Sequence, residues 1–296
     1  MKNSLNNVYH NPVMLFESVN ELNIRNNGTY LDLTFGGGSY SRIILSKLEN
    51  GRLFSFDYDY HINKVSCMVK NNCFFFINSN FRFMKNFLAR YSICSVDGII
   101  VDFGLSSYQL DDFFRGFSFK FNFFLDMRMN RLEFITAKDI LNNYTKIQLL
   151  NIFKKHSNLN DSILLVNSII LFRKYRPINT IFDLRLLLDK FIPKKYRFKY
   201  YSKIFQSIRM EVNDEISSIF RMIFESIDIL KNKSKLVTIS YHSREDNLIK
   251  NIINNNTKDR LKSIKNKKNI ILSSNFELNT NKRSRSAKLR VIEKII

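Results

Sequence analysis

The chain has 296 residues, 45% hydrophobic and 25% charged, enough to bury a sizeable core in one large domain or two small ones. No apolar stretch approaches the roughly 20 residues of a membrane-spanning helix, no apolar leader is visible, and Cys67, Cys73 and Cys94 are too few and too badly spaced for a zinc site or a disulfide framework. The formal charge of +21 predicts a polyanionic partner, nucleic acid first, although AT-rich codons alone would also enrich a chain in Lys, Asn, Ile, Phe and Tyr.

Four apolar, β-rich runs come first, at 30–34, 53–57, 73–77 and 98–103, separated by segments of helical length. Strands that alternate with helices form parallel βαβ units, and strands buried on both faces read as continuous apolar runs. The expected fold is therefore an α/β, doubly wound sheet. The rhythm breaks between Asp111 and Phe205, where no strand is predicted. LDMRMNRLEF reads as a loop, and helical patterns follow over 137–155, 160–175 and 180–191. Thr180 and Asp183 are spaced as a capping pair, and Pro177 and Pro193 punctuate the ends. An amphipathic helix over 214–230 then leads to an apolar strand at 236–241, and 288–296 alternates as an edge or hairpin strand would. The predicted organisation is a discontinuous sheet domain, 1–110 and 206–296, with an inserted helical domain at 111–205.

The first strand runs into LDLTFGGGSYS, where Gly36, Gly37 and Gly38 allow positive φ and close backbone approach to a ligand. This is not a P-loop, because no Lys-Ser/Thr follows, and it lacks the full G-x-G-x-x-G spacing. The second strand ends FSFDYD, which puts Asp57 about 20 residues beyond the glycines, where a carboxylate suits paired hydrogen bonds to ribose hydroxyls. Asp59 reads as a solvated neighbour or a helix cap. The ligand should contain an adenosine, as a dinucleotide or as S-adenosylmethionine. Asp32, Asp57 and Asp102 at three strand ends make a negative floor, which suits a cationic sulfonium better than a pyrophosphate. Asp102-Phe103-Gly104 is not the kinase magnesium motif, because no H-R-D loop or V-A-I-K lysine accompanies it.

HNPVMLFESVNEL, LDLTFGGGSYS, DGIIVDFGLSSYQLDD, RGFSF, LDMRMN, FQSIRMEVNDEI, YHSRED and RSAKLRVIEK follow one another in this order. Together they resemble the 16S rRNA cytosine-N4-methyltransferase family, RsmH or MraW, from His10 nearly to the C-terminus. The resemblance implies a Rossmann-like class I methyltransferase sheet with an inserted, RNA-recognising helical domain, and S-adenosylmethionine as cofactor. The implied substrate is the N4 amine of a cytidine in the P-site region of 16S rRNA in the small ribosomal subunit. By motif position it carries cofactor contacts onto Gly38, Ser39, Tyr40, Asp57, Phe81, Asp102 and Gln109. Ser39 and Tyr40 stand where the family usually has Gly and His, Tyr108 replaces a usual Pro, and Tyr241 and Arg244 replace Phe and Leu. None of these replaces an acidic residue.

A cytosine amine is a poor nucleophile because its lone pair is conjugated with the ring. Asp102, or the turn it anchors, is expected to accept a hydrogen bond from that amine, or else only to hold the donor. Arg115, Arg128, His242 and Arg244 are candidates for phosphate or flipped-base contact. Against this, Asp126 and Arg128 would make an internal ion pair and His242 a satisfied strand-end histidine; strand ends that face the ligand crevice favour a site role for His242. The basic runs at 258–268 and 281–290, the latter with Lys282, Arg283 and Arg285, are expected to meet RNA phosphates. A cytoplasmic enzyme with no membrane, DNA or metal partner is expected. The alternative is a degenerate, non-catalytic member of the family that binds RNA or the ribosome.

Overall fold

The computed structural model describes residues 12–157, 162–254, 264–266 and 270–295. Among the described residues eight strands form one sheet: β1 (Thr29–Asp32), β2 (Arg52–Asp57), β3 (Phe74–Asn78), β4 (Val96–Asp102), β5 (Leu230–Ser240), β6 (Ile264–Asn266), β7 (Ile271–Leu272) and β8 (Lys288–Lys294). Their order is β3-β2-β1-β4-β5-β8-β6, with β7 also paired to β8. The β1 to β5 pairings are parallel, and β8 runs antiparallel to β5, β6 and β7. This is the Rossmann-like, doubly wound arrangement expected from the sequence.

Successive side chains on a strand point to opposite faces, and both faces are covered here. Leu31, Ile99 and Val101 enter one core with Phe54, Phe56 and Leu236, whereas Tyr30 and Ile100 enter the other with Leu53, Val237 and Ile239. Strand order reverses between β1 and β4, so the ends of those strands flank the switch point at which open α/β sheets bind ligands. Asp32 and Asp102 stand at those two ends.

The chain divides into two compact units, one of 1–104 with 216–296 and one of 105–215. The boundary expected at 206 moves because the helix Arg197–Val212 is unbroken and buries Tyr201, Ile204, Phe205 and Ile208 in the helical unit's core. The single helix expected over 137–155 is two, Ala137–Asn143 and Lys146–Ser157, because Tyr144 is extended and Thr145 starts a new cap with Gln148. β8 is an interior strand with Leu289, Val291 and Ile292 buried, not an edge. Asp246 anchors it by accepting from Lys288 at 2.9 Å and Arg290 at 2.6 Å. No helix among the described residues is long and apolar enough to cross a membrane.

The helix Ile181–Leu188 begins with the predicted capping box. Thr180 Oγ1 accepts from the Asp183 N–H at 3.1 Å, and Asp183 Oδ2 accepts from the Thr180 N–H at 2.9 Å. Thr180→Ala removes one of these bonds and should cost about 1 kcal/mol, read as a lowered urea midpoint with an unchanged slope.

Candidate active site

The turn after β1 is held from below by Asp32, which is fully buried. Its Oδ2 accepts from the Ser41 hydroxyl at 2.6 Å and its Oδ1 from the Thr34 N–H at 3.2 Å, while Ser41 also bonds Ser55 at 2.8 Å. Burial pushes the Asp32 carboxyl up to about 6 despite these bonds. Asp32 thus joins the turn to the helix Ser39–Leu45 and stands beneath the site. Gly36 and Gly38 have φ of 49° and 75°, a region open to glycine and costly for other residues. A Cβ on Gly38 would also lie 2.7 Å from the Phe35 ring, whereas one on Gly37 would meet nothing within 4 Å. The turn is therefore packed inside and open outside, which leaves its backbone accessible.

Asp57, at the end of β2, accepts from the Gly36 N–H at 2.8 Å and from the Asp59 N–H at 2.9 Å, one bond on each carboxylate oxygen. Each oxygen keeps a second lone pair. Burial pushes its pKa up to about 7, against the pull of those two N–H groups. Asp59 is buried, not solvated, and caps the next turn by accepting from the His61 N–H.

Asp102 ends β4, its N–H donating to Thr34 Oγ1 at 2.7 Å. Its Oδ1 is buried and has no hydrogen-bond partner among the described residues. Its Oδ2 lies 3.4 Å from the Tyr40 hydroxyl, and the Tyr241 hydroxyl is close enough to the same carboxyl to favour its ionised form. The Tyr40 hydroxyl is also a donor to the Val13 carbonyl at 2.5 Å. Burial raises the Asp102 pKa to about 7, with Tyr241 and Arg283 opposing the rise and Asp32 and Glu245 adding to it. Sequence reasoning missed Tyr241, Val13 and Glu245. The register carries the signal for Tyr241: Asp102 pairs with Ile239 in a parallel ladder, so Tyr241 follows just beyond the same sheet edge.

Ser39 opens the helix after the glycine turn, half-buried, and Tyr40 is buried behind it. Phe81 follows β3 and meets Phe103 edge-on at 6.3 Å. Gln109 lies in the helical unit, where it closes a capping box with Ser106. Arg283, expected at RNA, is half-buried and close enough to Asp102 and Tyr241 to lower both their pKa values, while Lys282 and Arg285 are exposed. The basic run 258–268 lies outside the described residues apart from 264–266, as does His10.

One arginine expectation is corrected, and the other takes the internal pairing weighed for it. Arg115 is fully buried, its guanidinium donating to the carbonyls of Arg128 at 3.0 Å and Met129 at 2.8 Å, so it holds the chain and cannot reach a phosphate. Arg128 makes the internal pair: Nε and Nη2 each lie 2.8 Å from one Asp126 oxygen, and Nη1 donates to the carbonyls of Arg131 and Glu133. Burial opposes ionisation of Asp126, but the Arg128 bonds win and hold it below the usual carboxylate range. His242, expected at the site, meets Glu245 twice: Nδ1 accepts from the Glu245 N–H at 3.4 Å and Nε2 is 2.8 Å from Oε1 of the fully buried Glu245.

The sequence pattern of the MraW methylase family matches residues 7–295. The ribosomal RNA small subunit methyltransferase H of Phocaeicola vulgatus is 40% identical, over 97% of this chain and 98% of that protein. The protein of the same description from Flavobacterium johnsoniae is also 40% identical, with the same coverage. Among solved structures, an rRNA methylase from Streptococcus thermophilus is 10% identical with a TM-score of 0.45, covering 96% of this chain and 95% of that one.

Proposed function

The chain belongs to the MraW methylase family, and from that premise we propose that it methylates the N4 amine of a cytidine in the P-site region of 16S rRNA, acting in the cytoplasm on the small ribosomal subunit. The methyl donor is S-adenosylmethionine, which supplies an electrophilic methyl group on a positively charged sulfur. The observation that carries this reading is the pair Asp57 and Asp102 beside an open glycine turn, with one Asp102 oxygen buried and unpartnered. A cationic ligand fits such a floor, and a pyrophosphate does not.

Asp57 has lone pairs left for two ribose hydroxyls. Gly38 and Ser39 of the glycine turn and Phe81 beyond β3 are the further donor contacts that the family motif implies in the same unit. Asp102 Oδ1 accepts a hydrogen from the cytosine amine, which turns the nitrogen lone pair out of conjugation and toward the methyl group. A carboxyl with a pKa near 7 is also placed to take the amine proton once the new C–N bond has formed. Incubating labelled donor with unmethylated small subunits tests the reading. Label on N4 of one cytidine is expected; label elsewhere, or none, overturns it. A non-catalytic RNA binder would give no heat with the donor in calorimetry, and the intact acidic set argues against that alternative.

The raised carboxyls predict a pH dependence. A sulfonium favours the ionised forms of Asp57 and Asp102, so donor affinity should rise as pH increases through about 7. Below that point it should fall by up to about tenfold per pH unit for each group. S-adenosylhomocysteine lacks the sulfonium charge and should show a shallower profile; parallel curves for the two ligands would refute the effect. Without ligand the sign reverses. An unfolded carboxyl loses its proton near 3.8 and the folded ones near 7, so these groups lower stability as pH rises across that window.

A further inference from the structure

The helical unit carries a surface that the donor site does not use. Phe113, Phe114, Phe121 and Phe124 are between 42% and 59% exposed. With the half-buried Phe123 they form one continuous array, with ring centroids 4.1 Å apart for Phe113–Phe114, 4.8 Å for Phe114–Phe123, 5.3 Å for Phe123–Phe124 and 6.1 Å for Phe113–Phe121. Beside it, Phe114, Phe123, Phe124, Asp126, Arg128 and Arg131 line an open depression of about 370 Å³, a volume in the range of small-ligand sites.

The array is held in place. Asp112 caps the short turn Phe113–Arg115 by accepting from the Phe114 N–H, and the buried Arg115 ties that turn to the carbonyls of Arg128 and Met129. Asp126 and two carbonyls fix the Arg128 guanidinium in the wall. Lys120 and Arg131 are exposed within the same stretch of chain. A contiguous apolar patch of this kind marks an interaction surface.

We propose that this aromatic array binds unstacked bases of single-stranded RNA, with one base in the depression and Arg131 at a flanking phosphate. The inference rests on the rRNA methyltransferase reading, and it names where in the helical unit the strand is held. Flat π faces accept any base by stacking, and interleaved cations on a chain of net charge +21 match a phosphodiester backbone. A cytidine delivered to a methyl donor must leave its stack, and its strand neighbours then expose faces of their own.

The test is fluorescence anisotropy of the full chain with an unstructured, labelled ribo-oligonucleotide. Phe114→Leu and Phe124→Leu keep apolar bulk and lose the ring, whereas Phe114→Tyr and Phe124→Tyr keep it. Each Leu variant should bind about 5- to 100-fold more weakly, and each Tyr variant near wild type. Arg131→Ala should lower the dependence of log affinity on log salt by about one ion. Donor binding by calorimetry should be unchanged in all five variants. Wild-type RNA affinity in the Leu variants overturns the proposal, as does equal weakening by Leu and Tyr. A change confined to oligomeric state in light scattering also overturns it and assigns the patch to contact between copies. Failure of the methyltransferase reading looks different: no donor heat, with the Leu–Tyr difference in RNA affinity intact.

Discussion

Asp57→Ala is expected to weaken S-adenosylmethionine binding by on the order of 10²- to 10⁴-fold. Each ribose hydroxyl bonded to an ionised carboxylate contributes roughly 1.5–3 kcal/mol, and Asp57 has a spare lone pair on each of its two oxygens for this purpose. The substitution also strips the partner from the Gly36 N–H, so the glycine turn loses the bond that fixes its inner edge. Asp57→Asn separates the two contributions. Its amide keeps one acceptor and turns a donor toward either Gly36 or Asp59, so it should lose affinity with a smaller change in melting temperature than alanine. Calorimetry with S-adenosylmethionine and S-adenosylhomocysteine is the measurement. Both ligands carry the ribose, so both should weaken together in Asp57→Ala. An affinity within fivefold of wild type would remove Asp57 from the ribose site.

Much of this site was legible in the chain, and what was not has a physical explanation. β1, β2 and β4 could be read because they are buried on both faces and so appear as unbroken apolar runs, and β3, at the sheet's end and only partly buried, shares the apolar pattern through Phe74–Ile77. The glycine turn and Asp57 could be read because their spacing is set by one helix and one strand. The helix Arg197–Val212 was not found: its charged and aromatic residues dilute the apolar pattern, and Lys199, Lys203 and Arg209 interrupt the run. Arg115 was misassigned because a basic residue in a charged chain reads as surface, and only the tertiary fold shows its guanidinium turned inward, with Nη2 on two backbone carbonyls. Arg283 was assigned to RNA for the same reason, yet its charge acts on Asp102 and Tyr241. The aromatic array escaped notice because Phe is abundant throughout, with 28 in the chain, and composition cannot distinguish a core ring from an exposed one.

Asp102→Asn should weaken donor binding at pH 8, where the wild-type carboxyl is ionised, and should also lower the methylation rate at saturating donor on unmethylated small subunits by about 10²- to 10³-fold, the usual scale for a positioned acceptor or base. The reasoning starts from Oδ1, which is buried and unpartnered and so is the group that gains most from an incoming amine hydrogen. If Asp102 only held the donor, the substitution would raise the dissociation constant and leave the rate at saturation intact. An undiminished rate with normal affinity would sink the acceptor role. Tyr241→Phe provides a second, independent reading. The Tyr241 hydroxyl favours the ionised form of Asp102, so its removal should push that pKa above about 7. The rate should then fall near neutral pH and recover at higher pH, displacing the rising limb of the pH profile toward alkali. A structural loss at Tyr241 would lower the profile at every pH without moving its midpoint, so the displacement, and not the loss, identifies the ionisation of Asp102 as the step on which methyl transfer depends.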